Sequence, residues 1–114
     1  MGLASQTCTA CSGGVDPIKG DEIDEKMEQL DGDWEVINEH HLKRDFEFED
    51  FQEALDFVNK VGGIAEEEGH HPNIEFTWGK ATIKLYTHKI DGLYDNDFIM
   101  AAKIDQMHRE EFTE

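Results

Sequence analysis

The apolar positions of this chain alternate between a helical and a strand spacing, and the changes of period mark its elements. In DEIDEKMEQL, residues 21–30, Ile23, Met27 and Leu30 fall on one face; Asp21 stands where a capping side chain is wanted and Gly32 follows, which predicts a short helix. Trp34 to Ile37 and Leu42 to Phe48 then read as two strands around a polar turn at Asn38 to His41, with Trp34, Val36, Phe46 and Phe48 inward. Asp50 can cap a long helix in which Phe51, Leu55, Val58 and Ala65 recur near a helical period. Gly62 and Gly63 interrupt it, each costing about 1 kcal/mol against alanine, and predict a kink or a close approach to a neighbour. Gly69 is placed as a left-handed C-terminal cap, and Pro72 forbids continuation.

Beyond the proline, Ile74, Phe76 and Trp78 alternate with polar residues, and Ala81, Ile83 and Leu85 do the same after Gly79-Lys80. A two-residue turn at Gly79-Lys80 would pair Trp78 with Ala81, Phe76 with Ile83 and Ile74 with Leu85. It would also set Glu75 opposite Lys84 and, followed outward, His71 opposite His88. Asp95 to Met107 reads as a last helix, with Phe98, Ile99, Ala101, Ala102 and Ile104 apolar over so wide an arc that more than one side is expected to be buried. The order α-β-β-α-β-β-α implies an α+β fold: a four-stranded antiparallel sheet with three helices on one face. Residues 1–20 are expected to form a flexible leader and residues 21–114 a single domain.

Composition narrows the function classes. A chain of 114 residues supports one core, and 38% hydrophobic with 32% charged residues is globular rather than disordered. The formal charge of −17 repels phosphate backbones and anionic lipid, so no direct nucleic-acid binding is expected. The same acidity is ordinary for a solvated surface and also fits a salty cytoplasm, where stability would rise along a potassium chloride series. No apolar run approaches 18 residues, so no membrane span is expected, and MGLASQTCTACSGG lacks the pattern of a secretory signal. A cytoplasmic location is the expectation. Cys8 and Cys11 have a C-x-x-C spacing with no second pair, and read as reduced thiols in the leader more readily than as half a zinc site.

The candidate chemistry lies in EEEGHHPNIEFTW, residues 66–78. Three glutamates at a helix C-terminus oppose the helix dipole, so something other than helix stability is served there. They run into His70 and His71, and the hairpin brings His88 toward both. Imidazole titrates near pH 6.5 and can donate or accept a proton near neutrality. Three such rings beside carboxylates suit proton transfer; the same set suits zinc, or is a polar strand end. His40, His41 and His108 are expected to be solvated. Trp34, Phe46, Phe48, Phe51 and Phe76 are expected in the core, and Trp78, by its inward phase, in packing.

Glu66, three residues, His70-His71-Pro72, five residues, Trp78, nine residues, His88, eight residues and Asp97 resemble the signature of the pterin-4a-carbinolamine dehydratases, over roughly residues 20–107. The resemblance implies dehydration of a 4a-hydroxytetrahydropterin to the quinonoid dihydropterin, serving an aromatic amino acid hydroxylase, with no metal or organic cofactor. It implies His70, His71 and His88 as acid/base and substrate-holding groups, with His71 favoured as base and the other two as donors. Glu66 would orient a histidine or the pterin. The backbone around Gly69, Pro72, Tyr86, Thr87 and Lys89 would line the pocket. The resemblance also implies a homodimer or homotetramer, and it leaves an interaction or assembly module as the alternative to an enzyme. One departure is Tyr94, where relatives commonly carry Ser or Thr as the helix cap. Asp95 can take over capping, and Asp97 is then either a site carboxylate or a first-turn charge on the helix dipole.

Overall fold

The computed structural model describes residue 3, residues 16–30 and residues 32–112. Cys8 and Cys11 lie outside the described residues. The elements run α1 (Asp21–Met27), β1 (Glu35–Ile37), β2 (His41–Glu47), α2 (Phe51–Glu68), β3 (Asn73–Thr77), β4 (Lys80–Leu85) and α3 (Asp95–Glu111), with a 3-10 turn at His88–Ile90 between β4 and α3. The strands form one antiparallel sheet in the order β1-β2-β4-β3. This is the α+β architecture expected from the apolar pattern.

The central strands β2 and β4 carry the inward apolar side chains. Leu42 pairs with Leu85 and Phe46 with Ala81, and all four are buried together with Ile83. Onto this face α2 lays Ala54, Phe57, Val61 and Ala65, and the Phe46 and Phe57 ring centroids lie 4.6 Å apart. In α3 the run from Asn96 to Ala101 is buried without a break, followed by Ile104, Asp105 and Met107. That helix is enclosed on more than one side, as its composition required. Buried Asp105 accepts the Trp34 indole N–H at 2.9 Å and an Arg44 guanidinium N–H at 2.6 Å, tying β1 and β2 to α3. Among the described residues no helix is long and apolar enough to cross a membrane.

Several local expectations are corrected. Gly20, with φ 57°, is the residue preceding α1, while Asp21 is its first helical residue; the helix ends at Met27, well before Gly32. Asp21 thus complements the dipole from inside the first turn instead of capping it. The chain ahead of α1 is already packed: Ile18 is buried and its N–H bonds the Leu93 carbonyl at 2.8 Å, so residues 17–20 belong with the domain. Helix α2 begins at the Asp50 cap, whose carboxylate accepts from the Glu53 N–H at 2.9 Å, and then runs unbroken past Gly62 and Gly63. A side chain at either glycine would meet nothing within 4 Å, so the close approach expected there is absent.

The second hairpin is offset by two residues from the expected register. Thr77 pairs with Lys80, Phe76 with Ala81, Ile74 with Ile83 and Asn73 with Lys84, which leaves Trp78-Gly79 as the turn and sets Glu75 against Thr82. Gly79 has φ +75° while Trp78 stays at negative φ, and a turn with that order requires glycine at its second central position. Phe48 N–H also reaches the Gly79 carbonyl at 2.8 Å, locking the turn to the end of β2. A shift of two preserves the face of every side chain, so the buried set is unchanged. Trp78, however, moves from the sheet to the loop tip and is 67% exposed. Phe51 and Phe76 are exposed too, stacked on each other with centroids 5.4 Å apart, because β3 is an edge strand that α2 only partly covers.

Candidate active site

The chain leaves α2 through Gly69, which adopts the left-handed conformation (φ 68°, ψ 25°) of a helix C-terminal cap. Its N–H and that of His70 both return to the Ala65 carbonyl. Pro72 follows within three residues, so the two imidazoles are delivered on a short non-helical link between α2 and β3. On the other side of β3, strand β4 ends at Leu85; Thr87 bridges to Gly92, and the 3-10 turn between them carries His88 and Lys89.

Between these segments lies a cavity of about 620 Å³, within the range that holds small organic ligands. The link supplies Gly69, His70, His71 and Pro72 to its wall; Thr87, His88 and Lys89 face them, and Glu68, Asn73 and Asn96 complete it. The adjacent His70 and His71 and the more distant His88 therefore share one hollow. His88 reaches it from the 3-10 turn and not from an extended strand. The convergence survives the register error because that error did not change the face.

Each histidine of the doublet is held by its own carboxylate. Nε2 of His70 lies 2.6 Å from Asp97 Oδ1, and Nε2 of His71 lies 2.6 Å from Glu66 Oε2. A carboxylate accepts, so Nε2 carries the hydrogen in both rings and Nδ1 remains for other partners. The two pairs differ in setting. Asp97 has no exposed surface and also accepts from Thr87 Oγ1 and from the Tyr94 N–H, each at 2.9 Å, while Glu66 and His71 are 79% and 61% exposed at their side chains. The first pair is fixed by three donors to Asp97; the second stands in solvent. Tyr94 is the residue before α3, without a side-chain capping bond, and the cap position does not pass to Asp95, which is the first helical residue. Asp97 supplies the reciprocal half of a cap and grips His70 with its other oxygen. Asp97 is thus a first-turn carboxylate of α3 that also holds the His70 ring.

Tyr86, Glu66 and Asp97 do not line the cavity. Tyr86 instead lies against the His88 ring, centroids 4.2 Å apart and planes 19° from parallel. Glu68, Asn73 and Asn96 were not singled out from the sequence. For Glu68 a signal existed: it continues the buried stripe Ala54, Phe57, Val61, Ala65 by three residues, whereas Glu66 falls outside it. Its carboxylate is 3.7 Å from Lys103 on α3. Among the described residues, no group of three or more His, Cys, Asp or Glu is arranged to hold a metal ion.

His40, His41 and His108 also depart from expectation. His108 is half-buried amid Phe46, Phe48, Phe57 and Phe112, where burial and then Arg44 and Arg109 push its imidazole below the ordinary value. His41 is lowered first by burial and then by His40, Lys84 and Lys43.

Comparison with known proteins agrees with the fold and the signature. The family model for pterin 4 alpha carbinolamine dehydratase matches residues 16–107. A relative from Rubrobacter xylanophilus, named for the same family, is 56% identical over 105 residues, 92% of this chain and 97% of that protein. Another from Alkaliphilus metalliredigens is 50% identical, covering 95% and 97%. A crystal structure described as a transcriptional coactivator/pterin dehydratase from Brucella melitensis superposes with TM-score 0.75 at 27% identity, over 81% of this chain and 98% of that one. A pterin dehydratase-like protein described as a RuBisCO assembly factor of the alpha-carboxysome shares the fold, with TM-score 0.56 at 24% identity over 65% and 87%. The chain belongs to the pterin-4a-carbinolamine dehydratase family.

Proposed function

We propose that this protein is a hydro-lyase that dehydrates a 4a-hydroxytetrahydropterin to the quinonoid dihydropterin. The observation that carries the reading is the meeting of His70, His71 and His88 around one cavity of about 620 Å³, with His70 anchored on buried Asp97. In the reaction the C4a–O bond breaks, the leaving oxygen takes a proton to depart as water, N5 loses its proton, and a C4a=N5 bond forms. Two proton transfers and no redox change are required, so imidazoles are sufficient and neither metal nor organic cofactor is called for.

We assign His70 the donor role: buried Asp97 engages its Nε2–H and fixes the ring, and a hydrogen on Nδ1 would then face the leaving oxygen. His71 suits the base: with Nε2–H given to Glu66, a neutral ring presents the Nδ1 lone pair. His88 approaches from the opposite wall as a second donor or as a clamp on the pterin. Gly69, Pro72, Thr87 and Lys89 support substrate contact through the wall they form. Tyr86, Glu66 and Asp97 act from behind it.

A second reading, an interaction or assembly module, draws on the exposed patch of Phe51, Phe76 and Trp78 beside the free edge of β3. The same edge supports self-association as a dimer or tetramer. Retention of the three cavity histidines favours chemistry. Stopped-flow dehydration of 4a-hydroxytetrahydropterin separates the two: the wild type is expected to exceed the uncatalysed rate and His71→Ala to lose most of that gain. Equal rates with and without wild-type protein would leave the interaction reading in possession. Coupling to an aromatic amino acid hydroxylase is expected to follow, as the family resemblance implies, from recycling of the spent pterin.

A further inference from the structure

The doublet at His40 and His41 sits outside the cavity, yet it is bound to the segment that carries His88. Tyr86, whose ring is stacked on His88, also packs against the His40 ring with centroids 4.6 Å apart. On its other side His40 gives an Nε2–H bond to Asp91 Oδ1 at 2.7 Å. Asp91 closes the 3-10 turn: it is left-handed (φ 50°, ψ 50°) and its N–H returns to the His88 carbonyl at 3.2 Å. One imidazole thus touches the residue two before His88 and the residue three after it.

His40 is itself held from three directions. Its N–H bonds the Ile37 carbonyl at 2.9 Å across a turn whose central residues, Asn38 and Glu39, both have positive φ. The left-handed region is tolerable for Asn38 but costly for Glu39. Glu39 is compensated in part by its carboxylate, which accepts the Gly20 N–H at 3.0 Å. The ring is then fixed by His41, whose Nδ1 lies 3.0 Å from Nδ1 of His40. Since Asp91 demands a hydrogen on Nε2 of His40, neutral His40 accepts at Nδ1, and His41 donates. An exposed histidine-carboxylate pair alone is worth little. Here the pair closes a loop of contacts that otherwise depends on the Thr87-Gly92 bridge.

We propose that His40 is a positioning residue for His88, setting the plane of that ring through Tyr86 and the height of its backbone through Asp91. The catalytic consequence rests on the dehydratase reading above; the positioning itself does not. The test pairs turnover with a signal that needs none, the ring proton and carbon shifts of His88 in the full-length protein. In His40→Ala, kcat is expected to fall about ten- to a hundredfold, the cost of a misplaced group near the chemistry, with KM little changed. The His88 ring resonances should move toward free-imidazole positions as the Tyr86 stack loosens. His40→Phe, which keeps the stack and loses the Asp91 bond, should recover part of both. If His40→Ala fails to fold, Asp91→Gly, which removes the carboxylate and keeps the left-handed conformation without strain, supplies the same two readings. Unmoved His88 resonances in a folded variant would overturn the proposal, whatever happens to the rate. Moved resonances with unchanged kcat in an active enzyme would keep the positioning and remove His88 from the chemical step. Moved resonances with no turnover even in the wild type would keep the positioning and reject the dehydratase.

Discussion

The molecule contains the same dipeptide twice, and the two copies have become different devices. His70-His71 follows a left-handed glycine cap and precedes a proline, so the backbone turns sharply and each ring finds a separate carboxylate while facing the cavity. His40-His41 leaves a tight turn for β2, and its two rings bond each other. Among the described residues the first arrangement leaves both Nδ1 atoms without a hydrogen bond; the second consumes both in one mutual bond. What an imidazole can do is decided less by its neighbours in sequence than by which nitrogen the fold has already engaged.

Substitutions should break this contrast in a graded way. Removing either ring of the cavity doublet has the largest expected effect: His70→Ala and His71→Ala should each lower kcat by about 10²- to 10⁴-fold, the usual worth of a positioned acid or base, in stopped-flow dehydration. Asp97→Asn comes next. The amide keeps the volume but offers an N–H where the His70 Nε2–H needs an acceptor, so the ring must change tautomer; about a hundredfold loss of kcat is expected, with a lowered Tm from imperfectly paired buried donors. Glu66→Gln should cost only a few-fold by the same assay, because that pair is exposed and screened by solvent. A loss as large as that of Asp97→Asn would erase the distinction between the two pairs.

The smallest expected effect is on stability against pH. Burial holds His41 and His108 below the ordinary imidazole value, so the folded protein binds fewer protons than the unfolded chain as pH falls through about 6.5. Stability should therefore decline from pH 7 toward pH 5, and His108→Phe, which keeps an aromatic ring in the cluster, should flatten the Tm profile across that interval. An unchanged slope would mean that these rings titrate alike in both states.

How far the sequence reached differs between the doublets as well. The cap at Gly69, the break at Pro72 and the alternation after it are local signals, and they placed His70 and His71 correctly at a helix-to-strand link. The turn of the second hairpin was not local: two glycine-containing turns were open, and the choice fell to the positive φ of Gly79 and its bond from Phe48, which depends on β2 being in place. The apolar phase of Trp78, Phe51 and Phe76 predicts burial, yet β3 is an edge strand, and strand order is not written in a period of two. Glu66 follows from the motif spacing; the helical stripe points instead to Glu68 at the cavity, with Glu66 behind it. His40 was read as a solvated turn residue because its partners, Tyr86 and Asp91, are about fifty positions away and meet it only when β2 pairs with β4.

The most direct test of the account is where a pterin binds. A crystal structure with a stable dihydropterin should show the bicyclic ring in the cavity between the Gly69 to Pro72 link and the 3-10 turn, with N5 and C4a within hydrogen-bonding reach of the His70, His71 and His88 rings. A ligand seated elsewhere, or a ring in that hollow with its N5 edge turned away from all three imidazoles, would contradict it.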